Sequence, residues 1–341
     1  MKNKQMIVVA AVIFVMLSVL TWVVYVGSLG SRGSFDEEDG HGSGKLKVVA
    51  TIFPLYDWAM NVVGADSESV DVSLLIDKGV DLHSHQPTVD EILRISTCDL
   101  FIYVGGESDD WVQDALKEAA NKDIRAVNLI EELGDAVRTE ELVEGMRQKR
   151  HEHDDEEEEE DEDEADEHVW LSVRNAAICA GVIKDAISRL DPENDAVYES
   201  NLARYVDQLE ALDDEYQAAV GAASSRRLLF GDRFPFRYLV EDYGLDYYAA
   251  FPGCSAETEA SFETIAFLAD KIDELGIGAV MTIDGSDDKL ARIIVQATKN
   301  KDQAILTLDS MQSINAKDMA AGATYLSIME KNLEVLKEAL G

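Results

Sequence analysis

The sequence has 341 residues, which favours about two domains over one small core. It carries 68 acidic and 30 basic side chains, a formal net charge of -38, and this balance argues against nucleic-acid binding and is compatible with attracting cations. Its three cysteines have no C-x-x-C spacing, which excludes a disulfide framework and a zinc finger.

The amino terminus has the features of an export segment. Lys2 and Lys4 precede residues 6–26, which are uncharged and just long enough to span a bilayer as a helix. We favour an uncleaved anchor with its basic end in the cytoplasm, and a cleaved signal peptide is the alternative. In both cases residues 1–30 serve as membrane anchor or signal segment. The rest of the chain is then expected on the extracytoplasmic face of the cell membrane.

A flexible tether and a first α/β lobe are predicted next. Residues 31–44 are rich in Gly, Ser and acids, which is typical of a tether. Strands then alternate with helices through residues 45–171, and this alternation indicates a parallel sheet covered on both faces. The strands predicted in this lobe are 46–53, 70–76, 99–104 and 125–129.

A charged insert is predicted at residues 146–167 of this lobe. Residues 152–167 hold fourteen acids and no Lys or Arg, so we expect a solvated segment that concentrates metal weakly. Helical periodicity through residues 172–224 predicts a helical linker. A second alternating set predicts a carboxyl-terminal α/β lobe at residues 225–341. The predicted fold class is therefore α/β, with two Rossmann-like lobes joined by a long backbone helix.

Histidines in two loops are candidate metal ligands. His83 and His85 follow a predicted strand and precede a helix with a capping-box signature. Open α/β sheets place their ligands at such strand ends, and imidazole is the commonest protein ligand for metals. His168 lies just before the helical linker, where Asp166 could orient its ring. The alternative is that these histidines are incidental or structural.

Taken in order, these motifs resemble the zinc/manganese solute-binding proteins of ABC transporters, the cluster A-I receptors. The resemblance runs from about residue 45 to the end, and it is strongest in DLHSHQPT (81–88), DLFIYVGG (99–106) and DEHVWLS (166–172). The charged insert lies where zinc-specific members carry a His- and acid-rich loop. The resemblance implies a monomeric receptor with metal in a cleft between two lobes and a membrane permease as partner.

From the resemblance we expect metal ligands from both lobes: His83, His168 and Asp284, with water, His85 or Asp232 completing the site. His85 stands where many members have Tyr. Arg233 stands at the usual His of the third ligand, and because arginine cannot ligate a metal, the adjacent Asp232 is one candidate substitute. Asp284, after a strand of the second lobe, is the candidate for the fourth ligand.

Several functions remain open at this point. We favour a non-enzymatic receptor that captures zinc and delivers it to an ABC importer, with manganese or iron as the alternative metal. A metal-dependent exported hydrolase would need a base and a nucleophile, and His83 or Cys254 could be nominated, but no third member is evident. An adhesin is a further alternative. Cys254 lies in a Pro-Gly-Cys-Ser turn, where we expect a structural role.

Overall fold

The part of the chain that the structure describes contains two parallel β-sheets. The computed structural model describes residues 44–146, 164–255 and 259–341. The predicted anchor and nearly all of the tether lie outside these ranges, as does most of the acidic insert. Within them, no helix is both long and apolar enough to cross a bilayer.

The first lobe alternates strands and helices along the chain. Its strands are β1 (Leu46–Ala50), β2 (Val70–Leu74), β3 (Leu100–Tyr103) and β4 (Arg125–Asn128). Its helices are α1 (Phe53–Val63), α2 (Val89–Ser96), α3 (Trp111–Glu118) and α4 (Leu129–Leu133). The strands are parallel in the order β2-β1-β3-β4. Every residue of β3 is buried, as expected for a strand that helices cover on both faces.

Two long helices follow the first lobe. They are α5 (Val173–Leu190) and α6 (Asp195–Ala222), and Pro192 separates them because proline lacks the N–H that a continuing helix requires. The 28 residues of α6 correspond to about 42 Å. This helix packs against α5 and α1, and also against the last helix of the second lobe, so it contacts both lobes.

The second lobe repeats the plan of the first. Its strands are β5 (Arg227–Phe234), β6 (Asp246–Pro252), β7 (Ala279–Ile283) and β8 (Ala304–Leu308). Its helices are α7 (Arg237–Tyr243), α8 (Phe262–Leu275), α9 (Lys289–Ala297), α10 (Ala316–Ala320) and α11 (Tyr325–Leu340). The parallel order β6-β5-β7-β8 is equivalent to that of the first sheet. The predicted fold class is confirmed.

Buried aromatic side chains make contacts between the two lobes. The Trp170 indole N–H donates to the carbonyl of Ser310 at 2.8 Å, and the Tyr325 hydroxyl donates to the carbonyl of Trp170 at 2.8 Å. The Trp58 and Tyr325 rings meet edge to face at 5.3 Å. One hydrophobic core thus runs through both lobes and the linker, and a smaller cluster lies within the second lobe. The division at residues 171/172 and 224/225 stays our proposal.

Two local details differ from or extend the predictions. The strand predicted at 46–53 ends at Ala50, because Pro54 lies in the first turn of α1 and favours helix initiation there. In the second lobe, β5 reaches Phe234 through a register shift against β6. Gly231 lies within this shift and allows β5 to pack closely on α9, since a Cβ there would lie 2.8 Å from the Cα of Ala291. The predicted capping box of α2 is present, formed by Thr88 and Glu91.

Candidate metal centre

The loops at the carboxyl ends of the strands enclose a cleft between the lobes. In each sheet the strand order reverses beside the first strand, and open α/β sheets bind ligands at such reversals. A cavity of about 650 Å³ lies there, with Asp81 from the first lobe and Arg233, Asp284 and Gln312 from the second among its lining residues.

His83 is held by the aspartate two residues before it. It lies in a single helical turn, Leu82–Ser84, and the Asp81 carboxylate accepts hydrogen bonds from its backbone N–H at 3.0 Å and from its Nδ1 at 2.8 Å. This pairing places the proton on Nδ1 and leaves the Nε2 lone pair free. Nε2 is buried and has no hydrogen-bond partner among the described residues.

His168 repeats this arrangement at a fully buried position. The Asp166 carboxylate accepts from the His168 backbone N–H at 2.8 Å and from Nδ1 at 2.9 Å, so Nε2 again keeps its lone pair. The His83 and His168 rings lie 5.0 Å apart, centre to centre. The sequence pattern Asp-x-His therefore occurs twice, and both copies present an oriented imidazole to the same space.

Cys254 lies next to both imidazoles. It follows β6 of the second lobe, and one ligand atom each from His83, His168 and Cys254 fall within 4.8 Å of one another. Gly253 permits this approach, since a Cβ there would lie 2.9 Å from Cε1 of His168. Burial raises the pKa of the Cys254 thiol, and the neighbouring carboxylates add to the rise. Sequence reasoning assigned Cys254 a structural role; its turn position after a strand was the signal for a site.

Glu167 is a site neighbour that sequence reasoning missed. One carboxylate oxygen, Oε1, accepts from the Ser108 backbone N–H at 2.7 Å. The other, Oε2, is buried without a hydrogen-bond partner and lies 3.6 Å from Nε2 of His83. Asp109 lies nearby, and burial raises its pKa to about 7, with the charge of Glu167 contributing. The position of Glu167 beside His168 in the chain was the available signal.

The predicted ligand Asp284 lies in the cleft but contacts neighbours of its own lobe. Its Oδ1 accepts from the backbone N–H and the hydroxyl of Ser310, both at 2.6 Å, and its Oδ2 accepts from the Ser313 hydroxyl. Gln312 instead contacts both imidazoles, because its amide nitrogen lies 2.8 Å from Nε2 of His168 and 3.4 Å from Nδ1 of His83. Gln312 was not identified from the sequence.

Arg233 and Asp232 are also engaged elsewhere. Arg233 donates to Asp81 at 2.6 Å across the cleft, and the Asp232 carboxylate accepts from the Arg233 backbone N–H at 2.8 Å. Burial alone would raise the pKa of Asp81, but hydrogen bonds from His83 and Arg233 together with the guanidinium charge lower it overall. Arg233 is therefore neutralised by the acid that orients His83.

His85 belongs to an acidic vestibule rather than to the imidazole pair. Its Nε2 lies 3.4 Å from the Glu91 carboxylate, and burial lowers its pKa while Glu91 opposes that shift. The vestibule is a cavity of about 490 Å³ that leads to His83 and Cys254. Five carboxylates line it: Glu107, Asp110, Glu140, Glu164 and Glu167. A concave surface of one sign concentrates counter-ions, here cations.

Comparison with known proteins identifies the family. A family model described as ZnuA, zinc-uptake complex component A periplasmic, matches residues 48–339. The high-affinity zinc uptake system protein ZnuA of Bacillus subtilis is 30% identical over 328 residues, which cover 96% of this chain and 97% of the relative. The zinc-binding protein AdcA of Streptococcus pyogenes serotype M3 is 30% identical over 300 residues, 86% of this chain but 56% of AdcA.

A solved structure has the same fold. The Zn(II)-bound ZnuA-like domain of Streptococcus pneumoniae AdcA matches with a TM-score of 0.67 at 26% identity, and the match covers 87% of this chain and 99% of that one. The family predicted from the stretches 81–88, 99–106 and 166–172 is thereby confirmed. The chain belongs to the ZnuA family, whose model is that of a periplasmic zinc-uptake component.

Proposed function

We propose that this protein captures zinc outside the cytoplasm and delivers it to an ABC importer. One observation carries the proposal: the half-buried His83 and the buried His168 are each oriented through Nδ1 by an aspartate, and one ring nitrogen of each lies within 4.8 Å of the other. Metal-binding histidines are usually held by a carboxylate in this way, and two such pairs in contact are hard to explain as core packing.

The choice of zinc rests on ligand chemistry and on the family. Imidazole suits zinc, whereas manganese prefers a site dominated by oxygen ligands. Relatives named as zinc-binding and zinc-uptake proteins support the same metal. Manganese or iron is retained as the competing metal to be measured.

The surroundings of the site suit capture and release of a cation. The acidic vestibule draws divalent ions toward His83, and the cleft between the lobes gives a path for release. As partner we propose a membrane permease of the ABC type, with a monomeric receptor held at the extracytoplasmic face by residues 1–30. Membership of a family of metal-binding receptors favours this role over a hydrolase.

Calorimetric titration of the metal-stripped full-length chain tests the proposal. We expect one tightly bound zinc per chain, which manganese in excess does not displace, together with weaker ions at the acidic insert. Absence of stoichiometric metal binding would support an interaction protein such as an adhesin. Metal-dependent turnover of ester or phosphoester substrates would support a hydrolase. Either result would contradict the receptor function.

A further inference from the structure

We propose that Cys254 is the second lobe's ligand to the metal, binding as a thiolate beside Nε2 of His83 and Nε2 of His168, with Glu167 in the fourth position. This inference rests on the proposed function and specifies its site. It departs from the set expected from the family resemblance, in which the second lobe supplies Asp284, with Asp232 as one candidate for the remaining position.

The candidates from the second lobe differ in what they contact. Asp284 uses both carboxylate oxygens on Ser310 and Ser313, and Asp232 accepts from the backbone beside it. Arg233 is a cation and pairs with Asp81. Among the described residues of the second lobe, Cys254 is the one that joins both imidazoles in a group of potential metal ligands.

The distances fit a tetrahedral zinc site after a small contraction. Zinc binds imidazole nitrogen at about 2.0–2.1 Å and thiolate sulfur at about 2.3 Å, so tetrahedral ligand atoms lie roughly 3.3–3.6 Å apart. The three ligand atoms fall within 4.8 Å of one another, so no pair needs to approach by more than about 1.5 Å. The separation of 3.6 Å between Glu167 Oε2 and His83 Nε2 already matches.

Two polar atoms at this position point independently to a cation. His83 Nε2 and Glu167 Oε2 are both buried without hydrogen-bond partners, and the side chains that carry them are 10% and 3% exposed. Buried polar groups are rarely left unpaired, because desolvation is then uncompensated. A metal ion between the nitrogen lone pair and the carboxylate would satisfy both atoms.

The turn that carries Cys254 is arranged for this contact. Gly253 has no side chain to separate the turn from His168, and its Cβ would also lie 2.9 Å from the carbonyl oxygen of Phe234. The backbone N–H of Cys254 donates to the Glu140 carboxylate at 3.1 Å, which anchors the turn to the first lobe. Cys254 thus reaches the imidazoles from the opposite lobe.

Charge and softness favour zinc in such a site. When the metal binds, the sulfur–zinc bond forms as the S–H bond breaks, and the proton leaves to solvent. One thiolate and one carboxylate then neutralise Zn²⁺, while both imidazoles remain neutral. A thiolate ligand favours zinc over manganese, which prefers oxygen ligands.

Cobalt substitution tests the sulfur ligand in the full-length chain. Co²⁺ in the wild-type site should show a sulfur-to-cobalt charge-transfer absorption in the near ultraviolet, and Cys254→Ser should abolish it. Cys98→Ser and Cys179→Ser are matched controls that should keep the band, because both thiols are buried elsewhere. Zinc affinity should fall at least tenfold in Cys254→Ser.

A second variant and a chemical probe complete the test. Glu167→Gln should lower zinc affinity several-fold, whereas Glu107→Gln removes the same charge from the exposed wall of the vestibule and should have a smaller effect. In the wild-type chain, zinc should protect Cys254 from iodoacetamide, and this readout does not depend on any variant folding.

The possible failures are distinguishable. If the wild-type chain binds zinc tightly but cobalt gives no charge-transfer band, Cys254 is not a ligand and the receptor function stands. The same follows if Cys254 is alkylated in the metal-free chain and zinc leaves that alkylation unchanged. An unchanged affinity of Glu167→Gln would remove Glu167 from the site. If the wild-type chain itself does not bind zinc tightly, the proposed function is overturned.

Discussion

Replacing Gly253 by alanine should damage the metal site directly. The added Cβ would lie 2.9 Å from Cε1 of His168 and 2.9 Å from the carbonyl oxygen of Phe234. Ordinary contacts begin near 3.4 Å, so the turn must move by about 0.5 Å, and overpacking of this kind costs about 1–3 kcal/mol. Because the movement separates Cys254 from His168, we expect zinc affinity to fall at least tenfold, or about 1.4 kcal/mol.

The assay combines urea unfolding of the metal-free chain with calorimetric zinc titration. Gly278→Ala is the matched control, since a Cβ at Gly278 meets nothing within 4 Å. We expect that control to remain within about 0.5 kcal/mol of the wild type in stability and to bind zinc normally. If Gly253→Ala matched the control in both measurements, the close approach of the Cys254 turn to His168 would be refuted.

Five further variants test other parts of the site by zinc titration. His83→Ala and His168→Ala should each lower zinc affinity at least tenfold while the fold survives, and an unchanged titration would remove that residue from the site. Asp166→Ala should lower affinity about 10–100-fold, because it frees the ring that the carboxylate orients; an effect below threefold would count against that role. Replacing the acids of residues 152–163 by serine should keep the tight site and reduce the number of weakly bound ions, and loss of the tight site would show a ligand within the insert. Gln312→Ala should raise affinity about fivefold, since zinc must otherwise break a hydrogen bond worth about 1 kcal/mol; a tenfold loss would make Gln312 a ligand.

The elements that local chemistry determines were predictable from the sequence. Alternating apolar strands and helices predicted both sheets, and the pattern at Thr88 and Glu91 predicted a capping box that forms. The two Asp-x-His patterns are also local, because an aspartate two residues before a histidine reaches its Nδ1 within one turn. Such features depend on neighbours in the chain.

The parts that were not predicted depend on tertiary contacts. Cys254, Gln312 and Glu167 reach His83 or His168 through the packing of strand-end loops, and no periodic pattern encodes that approach. The ion pair between Arg233 and Asp81 spans the cleft in the same way. The second-lobe side of the site was therefore the part least accessible to sequence reasoning.

At the end of the acidic segment, contacts with the first lobe determine a structure that composition alone did not predict. Its composition predicted one solvated run through residue 167, yet residues 164–167 pack against the first lobe. The Asp166 backbone N–H donates to the Arg138 carbonyl at 2.8 Å, and the Glu140 N–H donates to the Glu164 carbonyl at 2.8 Å. Asp166 and Glu167 are buried there, Asp166 bonded to the His168 ring and Glu167 beside the His83 ring.

The most direct test of metal capture is a crystal structure of the zinc-loaded protein with an anomalous difference map recorded at the zinc absorption edge. We predict one strong peak within about 2.0–2.1 Å of Nε2 of both His83 and His168, and about 2.3 Å from the sulfur of Cys254. A peak bound instead to Asp284 and Asp232, or no ordered zinc between the two imidazoles, would contradict this account of the site.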